Sequence, residues 1–327
     1  MLIKYTQKDS SLLKPLEAIP IDEERLAPAD WQSSEYETTL AAPFTLSGPS
    51  TYHRGTTATI TFRPAEDGWH FNRTDLPEQP PIPVAAHNVA SSKRNILLSA
   101  GIPQNHQRMS EHIIAMKLGM GLDNVAIDTA TGDPPLFDVG SRPIVEQIQK
   151  AGISMLEKKA RYFTTKESVV LKGKNGSFLL FEPTNEKKLT LDVAIDFPTA
   201  IGRQRIVFDV TPDAFAYGAD ARTNCSHKEW ILMHTIGRLI PSISGFGYTK
   251  QNILIAGKHG YYNTPALLHN GKCLEPVWHR ACLDLLAALA LKPEGRLAGK
   301  LTSFKAGHGL DCQFMTLMAE QNLWKEL

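Results

Sequence analysis

Three short stretches hold residue types that could do chemistry together. "SEH" (110–112) sets a carboxylate, Glu111, beside an imidazole, His112. "VWHRACLD" (277–284) carries His279 and Asp284, five residues apart. "KAGHG" (305–309) puts His308 in a glycine-rich loop, where backbone can come close to a ligand and the imidazole can reach it. A glutamate beside a histidine at a helix start can present a general base next to a metal ligand. None of the three specifies a site alone.

The spacing in "VWHRACLD" sets a problem. The stretch reads as the opening of an amphipathic helix. Side chains four apart on a regular helix lie about 40° apart, and side chains five apart about 140° apart. A π-bulge between His279 and Asp284 absorbs the extra residue and returns both to one face. A regular helix instead pairs Arg280 with Asp284 at i, i+4 and leaves a metal-free centre. Cys282 is a third conceivable ligand, but it stands two before Asp284 and so on another face. His70, His87, His106, His227, His234, His259 and His269 sit in no paired spacing and read as surface or satisfied core residues.

The elements that must position these groups are legible in outline. "TTATITFRP" (56–64) alternates like a half-buried strand. "DLPEQPPIPVAAHNV" (75–89) cannot be a central strand. Ser110 can cap a helix through "EHIIAMKLG", stopped by Gly119 and Gly121 and followed by the strand "NVAIDTA". "RPIVEQIQKAGI" (142–153) is a second helix with Ile144, Val145, Ile148 and Ala151 on its apolar side. "ESVVLKGKNGSFLLFEP" (167–183) reads as two strands about an Asn-Gly turn, and "KLTLDVAIDF" and "RQRIVFDV" as further strands. "KEWILMHTIGRLI" (228–240) is helical, "NILIAGK" a strand, 277–290 a helix, and "DCQFMTLMAEQNLW" a closing amphipathic helix. Both halves run strands, helix, strand, helix, which predicts a duplicated α+β architecture split near residue 160. Residues 1 to about 40 show no period and read as an extension that wraps the surface or is partly disordered.

These pieces also resemble a known family in residue identity. "GPSTYHRGTTATITFRPA" (48–65), "FNRTDL" (71–76), "SEHIIAMKLGMGLDNVAI" (110–127), "PLFDVGSRPIVEQIQKAGI" (135–153), "IDFPTAIGRQR" (195–205), "DAFAYGADART" (213–223), "VWHRACLD" and "TSFKAGHGLD" (302–311) resemble, in order, the UDP-3-O-acyl-N-acetylglucosamine deacetylases, the zinc amidases of lipid A synthesis. The chain looks like a divergent member. The resemblance implies an α+β fold of two similar domains, each a sheet packed with two helices, with the active site between them. It divides the chain into an extension (1–42), a first domain (43–158) and a second (159–327), whose insert, roughly 195–256, builds an apolar passage for an acyl chain.

Carried over position by position, the resemblance makes His112, His279 and Asp284 the ligands of one zinc ion. Glu111 becomes the base that activates water, His308 the protonated group that stabilises the oxyanion and protonates the leaving amine, and Thr223 a donor to that oxyanion. Arg280, Asn224 and His53 are its candidate substrate contacts. The implied substrate is an acylated amino-sugar nucleotide or a related small molecule, handled by a cytoplasmic monomer. The chain departs from the family at Arg280, at Ala288 where a second aspartate is expected, at Asn224 where an aromatic is expected, and in its long extension. A changed substrate, or a metal-free, non-catalytic homologue that binds or regulates, are the readings those departures favour.

Composition narrows the classes. The 327 residues exceed one ordinary core and suit two domains. Net charge is +1 at pH 7, and no aromatic-interleaved basic patch points to nucleic acid. No apolar run reaches the roughly 20 residues of a membrane span, and the first residues lack a secretory apolar core. Cys225, Cys273, Cys282 and Cys312 show no CxxC spacing and read as reduced cytoplasmic thiols.

Overall fold

A computed structural model describes residues 3–4, 11–53, 55–235 and 247–327. The fold is mixed α/β, with two larger sheets. The five-stranded sheet runs Phe44–Pro49, Thr57–Pro64, Val125–Thr129, Trp69–Arg73, Ile82–Pro83. Val125–Thr129 is antiparallel to Thr57–Pro64 and parallel to Trp69–Arg73. Ala58, Ile60 and Phe62 are buried while their neighbours face outward, as the alternation of "TATITF" requires for a sheet with one wet face. Within "DLPEQPPIPVAAHNV" only Ile82–Pro83, a two-residue edge, and the start of Val89–Ser91 are strand.

The seven-stranded sheet runs Ile3–Lys4, Val169–Lys172, Phe178–Glu182, Gly299–Phe304, Leu189–Phe197, Gly202–Asp209, Glu23–Arg25. Its Asn-Gly turn sits at Asn175 (φ 56°) and Gly176 (φ 74°), the left-handed region these two residues tolerate best. Runs such as "FLLF" are unbroken because both faces are covered. Leu179, Phe181, Val193 and Ile195 enter the main core, while Val170, Phe178, Leu180, Ala194 and Phe304 pack against Leu16 and Ile19. The extension is therefore neither a loose wrap nor a disordered tail over its described residues. It contributes edge strands, the short helix α1 (Lys14–Glu17) and the lid of an apolar layer.

Helices α2 (Glu111–Ile114) and α3 (Met116–Gly119) follow end to end. Two expectations change here. Ser110 does not cap through its side chain; its Oγ donates to the Ile96 carbonyl at 2.9 Å. Gly119 is not a stop: it lies in the last turn, and a Cβ there would overlap the Phe215 ring. The chain leaves the helix at Gly121, whose φ is +66°. Helix α4 (Arg142–Ala151) buries Ile144, Val145 and Ile148, with Ala151 only partly covered. Helix α5 (Pro212–Gly218) carries Phe215 onto Gly119.

Thr223–Ser226 and Ile253–Ala256 form a separate parallel pair, with α6 (His227–His234) between them in sequence. A capping box, Ser226 with Glu229, starts α6. The expected continuation of this helix to 240 lies partly in residues 236–246, outside the described residues. Strands at 195–209, the front of the expected insert, belong to the seven-stranded sheet.

Helix α7 (Glu275–Trp278) runs into a π-helical segment, His279–Leu285, and then into α8 (Leu286–Leu289). This helix is not amphipathic. Every residue from 273 to 291 is buried, so no polar face exists to set a period. Finally α9 (His308–Glu320) begins at His308 itself, with Gly307 as its N-cap, so His308 is the first helical residue rather than part of the loop.

Candidate active site

The first two groups come from the start of α2. Glu111 is 3% exposed, and its Oε2 accepts the Ile96 backbone N–H at 2.9 Å. With the Ser110 bond to the same residue, the stretch before Leu97–Ser99 fixes where the helix begins. His112 follows, and its carbonyl accepts from Ser141 Oγ at 2.9 Å.

The π-helical segment supplies the next two. A π turn holds one residue more than an α turn, so His279 and Asp284 share a face despite their five-residue separation. His279 Nδ1 lies 3.5 Å from Asp284 Oδ1, and its Nε2 lies 3.3 Å from His112 Nε2 and 3.0 Å from Thr223 Oγ1. His308 Nε2 approaches the same Asp284 oxygen at 3.6 Å. The Arg280–Asp284 pair of the regular-helix arrangement does not form. Arg280 turns the other way: its Nη2 donates to Asp311 Oδ1 at 2.6 Å and to Ser303 Oγ at 3.3 Å, and its Nε donates to the Ala306 carbonyl at 3.0 Å.

Burial and neighbouring charge split the ionisation of these groups. Burial raises the Glu111 pKa above the usual carboxylate value, against the charge of His308 and the Ile96 N–H. Burial, with His279 beside it, lowers His112 to about 3, so that imidazole is neutral. At Asp284 burial acts upward, but the charges of His308 and His279 outweigh it and hold the carboxyl below its ordinary range. At His308 burial acts downward and is outweighed by Asp284, Glu111 and Asp311, which raise it. The Cys225 thiol is pushed up to about 12 and Cys282 is also raised, both by burial.

A neutral His112 imidazole and an ionised Asp284 carboxylate are in the protonation states that bind a metal. Among the described residues no three such donors yet converge on one point: His279 stands between His112 and Asp284. The donor set nevertheless fits a zinc ion. Two imidazole Nε2 atoms face each other at 3.3 Å, and Asp284 Oδ1 is buried without a hydrogen-bond partner.

All these groups open on one cleft of about 470 Å³. Its polar end holds Glu111, His112, Thr223, Asn224, His279, Asp284 and His308. Its other wall is largely apolar, from Met109, Leu232, Met233, Tyr248 and Ile253. Arg280 and His53 do not line it. The His53 side chain is 66% exposed, 3.7 Å from Asp133, while its neighbour Tyr52 faces the cleft and accepts from Asn95 Nδ2 at 2.8 Å. Tyr52, Asn95, Tyr248 and Asp311 escaped sequence reasoning. The first three come from loops with no period to read, and Asp311 stands out only once α9 is known to start at His308. A second cavity, about 260 Å³ and walled in part by Trp31, Lys117, Tyr162 and Arg296, holds no such acid–imidazole cluster; Lys117 there donates to the carbonyls of Ala290, Lys292 and Pro293.

Comparison with known proteins places the chain in a family. The family described as UDP-3-O-acyl N-acetylglycosamine deacetylase matches residues 37–320. Proteins named UDP-3-O-acyl-N-acetylglucosamine deacetylase are similar along most of their length. That of Geobacter sp. (strain M21) is 30% identical over 287 residues, covering 86% of this chain and 88% of the relative. That of Syntrophotalea carbinolica is 27% identical over 296 residues, covering 89% and 90%. That of Vibrio cholerae is 28% identical over 288 residues, covering 84% and 87%. With the match spanning nearly all of the chain beyond the extension, this protein belongs to the UDP-3-O-acyl N-acetylglycosamine deacetylase family, whose named members are amide hydrolases.

Proposed function

We propose that this chain is a zinc-dependent deacetylase that hydrolyses the acetamide of an acylated amino-sugar nucleotide. The observation that carries the reading is the π-helical segment, which brings His279 and Asp284 to the cleft that Glu111, His112, Thr223 and His308 also line. His112, His279 and Asp284 would hold the ion. When bound, zinc polarises the amide carbonyl and lowers the pKa of water toward neutrality.

The chain's own groups divide the remaining work. Glu111, desolvated and so more basic than an ordinary carboxylate, takes a proton from the attacking water as the C–O bond forms. Thr223 Oγ1 donates toward the oxygen that gains charge. His308, whose affinity for a proton the carboxylates around it raise, gives its proton to the nitrogen as the C–N bond breaks. Acetate and a free amine leave. The apolar wall at Leu232, Met233 and Ile253 supports an acyl-bearing substrate. Asn224 on the polar wall is where a changed preference would arise.

The same reading divides the chain at about 158, with residues 43–158 supplying Glu111 and His112 and residues 159–327 the rest, and the site between two similar domains. It carries with it a cytoplasmic monomer in lipid A synthesis. Among the described residues no helix is long and apolar enough to cross a membrane.

The test is elemental mass spectrometry of untagged protein prepared without chelator, beside His112→Ala, with acetate release from UDP-3-O-acyl-N-acetylglucosamine and from the unacylated sugar nucleotide. About one zinc per chain, lost in the variant, and preference for the acylated substrate are expected. The absence of both metal and turnover after zinc supplementation would overturn the reading in favour of a non-catalytic binding protein.

A further inference from the structure

We infer that Arg280 is a positioning residue for His308, acting through the turn that carries it rather than through the substrate. The inference rests on the proposed hydrolysis. Arg280 is 6% exposed and does not line the cleft. Its guanidinium reaches three successive parts of one segment: Ser303 at the end of a central strand, the Ala306 carbonyl in the turn, and Asp311 in the first turn of α9. Those contacts bracket His308 from both sides.

The turn needs such a hold. Lys305 has a φ of +51°, a left-handed conformation that a side chain with a Cβ disfavours. His308 itself has little to fix it: among the described residues its Nδ1 is buried without a hydrogen-bond partner and its Nε2 pairs with Asp284 at 3.6 Å. Orientation must come from the backbone on either side. Arg280 supplies it in a form a lysine cannot copy, because a planar fork can bond a carbonyl, a hydroxyl and a carboxylate at once. The π-helical segment thus has two products: it delivers His279 and Asp284 to the cleft, and it sends the intervening Arg280 to the back of the opposing turn.

The Arg280–Asp311 pair is buried, and removing one partner strands the other's charge, so a single truncation risks unfolding. The test therefore uses the neutral double variant Arg280→Gln/Asp311→Asn and the conservative Arg280→Lys. Folding is checked by thermal melting, and zinc content, kcat, KM and amide hydrogen exchange of 305–309 are measured. The double variant should keep its metal and its KM, lose about 10²-fold in kcat, as a misplaced catalytic group does, and exchange faster at 306–308. Arg280→Lys should fall between it and wild type. A raised KM with kcat intact would overturn the inference by making Arg280 a substrate contact. Unchanged kcat and unchanged exchange would overturn it outright. If wild type shows no turnover, the proposed function fails, while the exchange comparison still decides whether Arg280 holds the turn.

Discussion

Two helices deliver most of the site, and they solve the task differently. At α2 the two candidate residues, Glu111 and His112, are adjacent, in the first turn, and only the starting point of the helix matters; Ile96 sets it through both Ser110 and Glu111. On the 275–289 helix the two residues stand more than one α turn apart, so the winding decides whether they meet. There the register cannot be shifted, because every face is packed. Trp278, just before His279, donates to Glu23 of the extension at 2.9 Å, and Cys282 packs on Gly218. With Trp278 fixed before the segment and Cys282 packed within it, the extra residue is accommodated as a local π turn. A site built at a helix end tolerates variation in length, whereas one built along a buried helix must change the helix.

The sharpest way to break the comparison is to remove chemistry from the simpler helix. Glu111→Gln should lower kcat by about 10² to 10⁴-fold while zinc content stays at the wild-type value. Steady-state acetate release with metal analysis reads both, and turnover at the wild-type rate would remove Glu111 from the mechanism.

Packing behind each helix comes next. Gly119→Ala forces a Cβ into the Phe215 ring and should cost about 1–3 kcal/mol in urea unfolding; a neutral result would mean α3 and α5 part easily. Glu23→Ala leaves the Trp278 indole N–H without its partner and should cost about 1–3 kcal/mol, although Glu23 lies outside the family match. An unaltered midpoint would show that the extension does not brace the bulged helix.

A smaller effect joins the two helices. Lys117 of α3 caps the carbonyls beyond α8, and burial lowers its pKa to about 7. Its folded pKa lies below the unfolded value near 10.4, so between those limits the unfolded chain binds more protons, and this residue's contribution to stability rises with pH. Comparing wild type with Lys117→Met from pH 7 to 10 isolates that slope; parallel curves would refute it. The smallest change is expected from deleting Ala281. That leaves the histidine and aspartate four apart on a regular helix without altering the register at either end, so zinc binding should persist. Loss of the metal with the fold intact would show that the π turn has a role beyond spacing.

Much of the framework was legible in the chain. The alternation of "TATITF", the Asn-Gly hairpin and the period of "RPIVEQIQKA" each record a local environment, a wet face or a forced φ, that acts on a few neighbouring residues. The extension was not legible. Its Leu16 and Ile19 acquire meaning only against Phe178 and Phe304, more than a hundred residues away.

The sequence by itself nominated Glu111, His112, Thr223, His279, Asp284 and His308, which the structure brings to one cleft, along with Arg280 and His53, which do not line it, and posed the conflict of spacing within "VWHRACLD". It also restricted the answers to a bulged helix or a regular one. Tertiary structure alone decided between them, because the choice depends on what surrounds the helix, and residues 273–291 are buried on all sides. It likewise decided where Arg280 goes. A guanidinium in a packed interior must find hydrogen-bond partners, and those it finds, Ser303, Ala306 and Asp311, belong to a strand and a turn that no local pattern in "HRACLD" could announce.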